Sequence, residues 1–326
     1  MTSADSGRDD VQRPGLGLTG FASGEALKDV PEPSDAEERL LRRAVEYLGG
    51  RRIALLTGAG LSTDSGIPDY RGPDAPPRNP MTYQQFVGDA DLRRRYWARN
   101  HIGWHHLRHA VPNAGHAAVA ELERRGLISG LITQNVDRLH TDAGSENVID
   151  LHGRYDRVTC LNCHTGFSRS EVAELLQDLN PGFLDRVGAD GDIAPDADAE
   201  ITDTEDFVVA DCPVCGGMLK PDFVYFGENV PKDRVARAFS VVDDAGALLV
   251  AGSSLTVMSG LRFVRYAVKA GKPVVIINRG ATRGDPLATL KIDMGVSTAL
   301  TWLARNLPAL PPADAAPGSG VPNAAD

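Results

Sequence analysis

Short apolar runs alternate with amphipathic segments along most of the chain. Uninterrupted apolar runs predict strands buried on both faces, whereas apolar residues spaced three and four apart predict helices that cover a sheet. The predicted strands are 53–57, 127–133, 247–251 and 273–277, and the predicted helices are 35–48, 114–125, 257–270 and 297–306. The alternation predicts an α/β fold, a doubly wound, Rossmann-like parallel sheet with helices on both faces.

The two ends of the chain and one internal stretch lack this pattern. Residues 1–34 and 308–326 are rich in small residues, proline and polar groups, so we predict a disordered tail on each side of a catalytic domain at 35–307. Weak periodicity at 154–220 predicts a small inserted module. Within it, nine acids and one arginine between Asp185 and Asp206 predict a solvated acidic loop.

Composition narrows the class of protein. The 326 residues carry a net charge of -10, with a pI near 5.3, which argues against nucleic acid as a partner. No apolar run approaches the roughly 20 residues of a membrane span. The first thirty residues contain several acids and no apolar stretch. A secretory signal needs an apolar stretch and a transit peptide is poor in acids, so the sequence predicts neither and we expect a cytoplasmic protein.

All four cysteines of the chain lie in two C-x-x-C pairs, Cys160 with Cys163 and Cys212 with Cys215. Two such pairs can surround one ion with four thiolates and leave no position open for water, which predicts a structural zinc. Cys160 to His164 also matches the haem c attachment pattern, but that chemistry leaves the second pair unexplained. A thioredoxin-like redox pair is disfavoured because the first pair opens an insertion rather than a helix.

Glycine and polar residues follow the predicted strands, at the ends where ligands bind to open parallel sheets. The turn Gly58-Ala59-Gly60 should open a helix, but Thr63 replaces the third glycine of the dinucleotide fingerprint, which disfavours a standard dehydrogenase. The next strand ends in Gln134-Asn135-Val136-Asp137, where a buried amide and carboxylate are costly unless they pair with each other or with a ligand. Gly252-Ser253-Ser254 and Asn278-Arg279-Gly280 follow later strands, as a nucleoside site requires.

Further motifs lie between these strand ends: Ser65-Gly66-Ile67-Pro68-Asp69-Tyr70-Arg71, Leu151-His152-Gly153, and Lys220-Pro221-Asp222 with Phe226-Gly227-Glu228. Together with the glycine turn, the Gln134–Asp137 segment, the cysteine pairs and Gly252–Ser254, they resemble the sirtuin family in order. The resemblance covers about residues 40–306. The long gap between the cysteine pairs and the Arg95–Asn100 segment resemble class II sirtuins.

The resemblance implies an enzyme that consumes NAD to remove an acyl group from a protein lysine, releasing nicotinamide and 2'-O-acyl-ADP-ribose. It implies that His152 is the general base for a ribose hydroxyl, that Asn135 is a second catalytic residue, and that Asp222–Glu228 form part of a cleft for acylated-lysine proteins. The implied NAD-binding residues are Gly58, Ala59, Gly60, Ser62, Asp69, Tyr70, Arg71, Gln134, Asn135, Asp137, Gly252, Ser253, Ser254, Asn278, Arg279, Gly280 and Val296.

Two other functions stay open at this stage. An ADP-ribosyltransferase on the same scaffold would need the same NAD residues. A non-catalytic NAD-binding module would be expected to have lost Asn135, Asp137 or His152, and all three are present.

Two smaller features concern specificity. His101, His105 and His109 recur at four-residue spacing, but no carboxylate ligand accompanies them, so a structural role is favoured over a metal site. Sirtuins specific for succinyl-lysine carry a Tyr-x-x-Arg pair, whereas here Tyr83 is followed by Phe86. The resemblance therefore implies deacetylation without a preference for succinyl-lysine, unless Arg71 or Arg78 supplies the missing charge.

Overall fold

The computed structural model describes residues 30–69, 80–187 and 204–311. Both predicted tails, apart from residues 30–34 and 308–311, and most of the predicted acidic loop fall outside these ranges. The strands are β1 Ile53–Thr57, β2 Ile128–Thr133, β3 Val148–Asp150, β4 Gly153–Cys160, β5 Gly166–Ser168, β6 Leu219–Phe223, β7 Ala247–Ala251, β8 Val274–Ile277 and β9 Leu290–Ile292. The helices are α1 Asp35–Leu48, α2 Tyr83–Gly88, α3 Ala90–Leu107, α4 Ala114–Arg124, α5 Leu139–Asp142, α6 Arg169–Leu179, α7 Phe183–Val187, α8 Lys232–Asp243, α9 Met258–Lys269 and α10 Val296–Asn306.

Six strands form one parallel sheet in the order β3-β2-β1-β7-β8-β9. The chain moves from β1 outward to β3, and later places β7, β8 and β9 on the other side of β1. Neighbouring β1 and β7 therefore lead away in opposite directions, which opens a crevice between their carboxyl ends. The predicted doubly wound sheet is confirmed. The short strands β3 and β9 are missing from the prediction because three residues are too few to show a period.

Burial on both faces explains the apolar runs. Successive side chains of a strand point to opposite faces, so Ile53 and Leu55 enter the core beneath α1, α4 and α10, whereas Ala54 and Leu56 enter the core beneath α8 and α9. All four are at most 1% exposed. Each large apolar side chain buried in this way contributes about 1.5–3 kcal/mol.

The turn after β1 differs from its prediction. An α-helix was expected there, but the chain makes two 3₁₀ turns, Ala59–Leu61 and Thr63–Ser65, before Gly66 takes a left-handed conformation. The amides of Gly58 and Gly60 donate to the carbonyl oxygens of Ala251 and Gly252, at 3.2 and 2.9 Å. These bonds tie the turn to the end of β7.

The inserted module forms a separate small sheet in the antiparallel order β5-β4-β6. Helix α6 covers this sheet through Val172 and Leu176, although the stretch shows little apolar periodicity in sequence. The core of the module is continuous with aromatic residues of α2 and α3. In the part of the chain that the structure describes, no helix is long and apolar enough to cross a membrane.

We expect Gly252→Ala to lower the free energy of unfolding by about 2–4 kcal/mol, because a left-handed φ of +68° is combined with a steric clash. A Cβ at this position would lie 2.5 Å from the amide nitrogen of Leu61. Gly271→Ala is the matched control, since its φ is +69° and no atom lies within 4 Å of its Cβ position. Urea unfolding should show a loss of about 1 kcal/mol for this control, and equal losses for the two variants would contradict the packing argument.

Candidate active site and metal centre

A cavity of about 640 Å³ opens at the carboxyl ends of β1, β2 and β7. Its volume is within the range of ligand and cofactor sites. Among the described residues of the implied NAD site, Gly280 alone does not line the cavity, and Tyr70 and Arg71 lie outside the described ranges. The implied residues in its wall are Gly58, Ala59, Gly60, Ser62, Asp69, Gln134, Asn135, Asp137, His152, Gly252, Ser253, Ser254, Asn278, Arg279 and Val296.

Asn135 and Asp137 are buried and are joined by the hydroxyl of Ser62. The Asn135 side-chain amide donates to Ser62 Oγ at 2.9 Å, and Ser62 Oγ donates to Asp137 Oδ2 at 2.6 Å. The other carboxylate oxygen accepts from the backbone amide of Leu139 at 2.9 Å. Burial raises the pKa of Asp137, and the bond from Ser62 opposes that shift. The two costly polar groups are therefore both satisfied through Ser62 while they line the cavity.

His152 is held in one tautomer. Its Nδ1 lies 3.0 Å from the backbone oxygen of Gln134, and since a carbonyl only accepts, Nδ1 carries the proton. Nε2 consequently carries the lone pair and accepts from Ser259 Oγ at 2.8 Å. Burial lowers the pKa of His152 to about 4, so the ring is neutral at pH 7. The arrangement suits a base that takes up a proton at Nε2.

Gln134 links the cavity wall to the histidine. Its side-chain oxygen accepts from Ser253 Oγ at 2.5 Å, while its backbone oxygen orients the ring of His152. Its side chain also packs against Gly260, where a Cβ would lie 2.7 Å from Gln134 Nε2. The end of β2 is thereby fixed against the segment after β7.

The segment after β6 forms another wall of the cavity, through residues 223–230. The amide of Val224 donates to the oxygen of His152 at 2.7 Å, and Lys220 Nζ donates to the oxygen of Phe223 at 2.7 Å. Lys220 also pairs with Glu228 at 3.2 Å. The Lys220 and Glu228 motifs thus shape this wall of the cavity.

Sequence motifs leave several lining residues unassigned. Ser259 and Arg262 on α9, with Met81 before α2, lie in the wall without belonging to any recognised motif. Their positions depend on how α9 and α2 pack against the sheet, which residue spacing in a single sequence does not predict.

The four cysteine sulfurs converge in the inserted module, all within 4.8 Å of one another. Cys160 Sγ is 3.6 Å from Cys215 Sγ, and Cys163 Sγ is 3.8 Å from Cys212 Sγ. A disulfide would require about 2.05 Å, whereas zinc bonds of about 2.3 Å in a tetrahedron place sulfurs about 3.8 Å apart. The donor set and spacing fit one structural zinc.

Of the three histidines at four-residue spacing, His101 and His105 lie on α3, and His109 follows its end. Among the described residues, the four cysteines are the one group of potential ligands that converges. His101 is buried beside Arg169, whose guanidinium stacks between Trp97 and Trp104 at 5.3 and 5.5 Å. Burial, with the charge of Arg169, lowers the pKa of His101 to about 3. The structural role predicted for this histidine is consistent with its packing in a neutral form.

Comparison with known proteins agrees with this geometry. The model of the Sir2 family matches residues 58–259. The chain is 61% identical to NAD-dependent protein deacetylase 1 of Mycobacterium avium over 269 residues, covering 82% of this chain and 95% of that protein. It is 54% identical to NAD-dependent protein deacetylase 1 of Streptomyces coelicolor, covering 78% and 86%. A solved structure of Sir2 with a p53 peptide and NAD+ superimposes with a TM-score of 0.66 at 32% identity, covering 81% and 97%.

We expect one zinc per chain by metal analysis, and loss of that zinc in Cys212→Ala. Structural zinc contributes on the order of 10 kcal/mol to the folding of such modules, so the variant should unfold its module and lose activity. His164→Asn is the matched control, because His164 is exposed next to Cys163, outside the sulfur cluster, in a left-handed conformation that asparagine tolerates. A stable, fully active preparation without metal would contradict the assignment.

Proposed function

Because the chain belongs to the Sir2 family, we propose that it acts as an NAD-dependent protein-lysine deacetylase through the cavity at the carboxyl ends of β1, β2 and β7, with His152 as general base. The observation that carries the proposal is the bonding of His152. Its Nδ1 proton is committed to the carbonyl of Gln134, and its Nε2 lone pair accepts from the hydroxyl of Ser259, a residue of the cavity wall. This state can accept a proton without any rearrangement of the ring.

The cavity fits NAD in volume and in chemistry. NAD supplies the ADP-ribose to which the acyl group is transferred, with release of nicotinamide. Asn135 and Asp137, already aligned through Ser62, present an amide and a carboxyl group suited to a carboxamide. Ser254, Asn278 and the other strand-end residues offer hydroxyl and amide groups for the adenosine half.

Glycine at positions 58 and 60 allows the backbone of this turn to lie close to that of Gly252. A Cβ on Gly58 or Gly60 would lie 2.7 or 3.0 Å from the oxygen of Gly252, and the two amides already donate to the oxygens of Ala251 and Gly252. We therefore assign the pyrophosphate to the surface left open by these glycines, rather than to their two amides.

The wall formed by residues 223–228 suits an extended peptide that carries the acylated lysine. Backbone groups along such a segment can pair with a substrate backbone as an added strand, and the lysine side chain then points into the cavity. Acylated-lysine proteins are accordingly the proposed partners. We propose a cytoplasmic location, because four cysteines without disulfides are typical of a reducing compartment.

We expect His152→Ala to lower the rate of deacetylation by about two to four orders of magnitude, with little change in NAD affinity or fold, because the general base is lost. In the wild type, the depressed pKa keeps the imidazole neutral above about pH 4. The acid limb of kcat/KM should then lie below the ordinary histidine pKa of about 6.5. A variant that retains more than about a tenth of the wild-type rate would refute the assignment.

Mass spectrometry of the products separates this activity from the alternative. Incubation with NAD and an acetyl-lysine peptide should yield acyl-ADP-ribose and the free peptide. A mass gain of one ADP-ribosyl group on protein, without deacylation, would instead indicate an ADP-ribosyltransferase.

We expect acetyl-lysine to be a substrate and succinyl-lysine not to be preferred. Phe86 is fully buried and packs against Tyr225 of the cavity wall, with ring centroids 5.0 Å apart. A substrate carboxylate placed against these aromatic rings would lose several kcal/mol of hydration, and each 1.4 kcal/mol is tenfold in rate. Arg71 and Arg78 lie outside the described residues.

Peptides that differ only in the acyl group provide the measurement. A butyryl peptide, which matches the length of the succinyl chain without its charge, separates the effect of size from that of charge. A kcat/KM for succinyl-lysine ten times that for acetyl-lysine would show that a cation binds the carboxylate.

A further inference from the structure

The lone pair of His152 is not free in this structure. Ser259 Oγ lies 2.8 Å from His152 Nε2, and Nδ1 is bonded to the oxygen of Gln134 at 3.0 Å. Because the carbonyl fixes the proton on Nδ1, the hydroxyl of Ser259 must donate to Nε2. Any proton that His152 accepts must therefore arrive at the position that Ser259 occupies.

The hydroxyl of Ser259 has the right properties to pass a proton on. A serine oxygen that donates one hydrogen bond still has two lone pairs with which to accept. Ser259 is half-buried and itself lines the cavity, next to His152. A hydroxyl group of a substrate in the cavity could donate to Ser259 Oγ while Ser259 donates to His152 Nε2.

We propose that Ser259 is a further catalytic residue that relays the substrate proton to His152. The substrate O–H bond breaks as its proton moves to Ser259 Oγ, and the original Ser259 proton moves to His152 Nε2. Ser259 is neutral before and after the step, the imidazole becomes an imidazolium, and the substrate oxygen becomes the nucleophile. The inference rests on the proposed role of His152 as base.

Packing holds the relay in place. Ser259 is the second residue of α9, so its position is set by the first turn of that helix. The next residue, Gly260, touches the side chain of Gln134, and a Cβ there would lie 2.7 Å from Gln134 Nε2. Gln134 thus fixes the ring of His152 through its backbone and the turn of Ser259 through its side chain. The hydroxyl and the imidazole cannot drift apart independently.

The competing interpretation is that Ser259 only caps the base and is displaced by substrate. The two interpretations predict different effects of removing the Ser259 hydroxyl. Removal of a cap leaves the reaction equally fast or faster, whereas removal of a relay slows it. Single-turnover rates of deacetylation should be measured for Ser259→Ala and Ser259→Thr. Ser240→Ala is the matched control, since its exposed hydroxyl donates to the oxygen of Ala236 on helix α8, away from the cavity.

A relay predicts that Ser259→Ala lowers the rate about 10- to 100-fold with unchanged KM for NAD, and that Ser259→Thr, which keeps the hydroxyl, restores most of it. The rate in mixtures of H₂O and D₂O should curve for the wild type, because two protons move, and become straight for Ser259→Ala. An unimpaired Ser259→Ala, or equal losses in Ser259→Ala and Ser259→Thr, would overturn the relay.

The design separates this inference from the proposed base. If His152→Ala is inactive and Ser259→Ala is unimpaired, His152 remains the proposed base and the relay through Ser259 is refuted. An active His152→Ala would remove both.

Discussion

The architecture depends on how closely two glycine turns approach each other at the end of the sheet. Gly60 donates its amide to the oxygen of Gly252 at 2.9 Å, and Gly252 adopts a φ of +68° that directs its backbone toward that turn. A side chain on Gly58, Gly60 or Gly252 would meet backbone atoms at 2.5–3.0 Å. Because β1 and β7 lead to opposite sides of the sheet, this contact is the floor of the crevice between them.

Burial of the sheet also affects the polar residues at its carboxyl edge. Polar residues at the carboxyl ends of β1 and β2 have lost water, so each must find a partner within the protein. Thr57 Oγ1 lies 2.9 Å from His140 Nε2, Ser62 bridges Asn135 and Asp137, and Gln134 orients His152. Burial lowers the pKa of His140 to about 3 and that of His152 to about 4. Desolvation therefore supplies a neutral imidazole, and the geometry decides which nitrogen holds its proton.

The sequence predicted those parts of the fold that have a strong local pattern of apolar residues. The strands β1, β2, β7 and β8 are apolar throughout and sit at the predicted positions, and Ser34 caps α1 through a reciprocal bond with Glu37. Helix α6 escaped prediction because its buried residues face a small sheet brought together by distant cysteines. Ser259 was missed for a related reason, since its contact with His152 spans 107 positions along the chain. Sequence motifs predict site residues that are held by local turns, whereas the positions of the other site residues depend on how distant elements pack.

The zinc module connects structure and activity without metal chemistry in the reaction. Cys160 ends β4, the strand that starts directly after His152, and β4 pairs with β6, which leads into the cavity wall at residues 223–228. Cys160 and Cys212 also share a core with Phe86 and Tyr225, the aromatic residues near the proposed acyl position. A change in the sulfur cluster would thus move both His152 and the peptide wall through one continuous packed unit. An ion with no open coordination position can in this way affect activity by holding in place the strands that position His152 and the cavity wall.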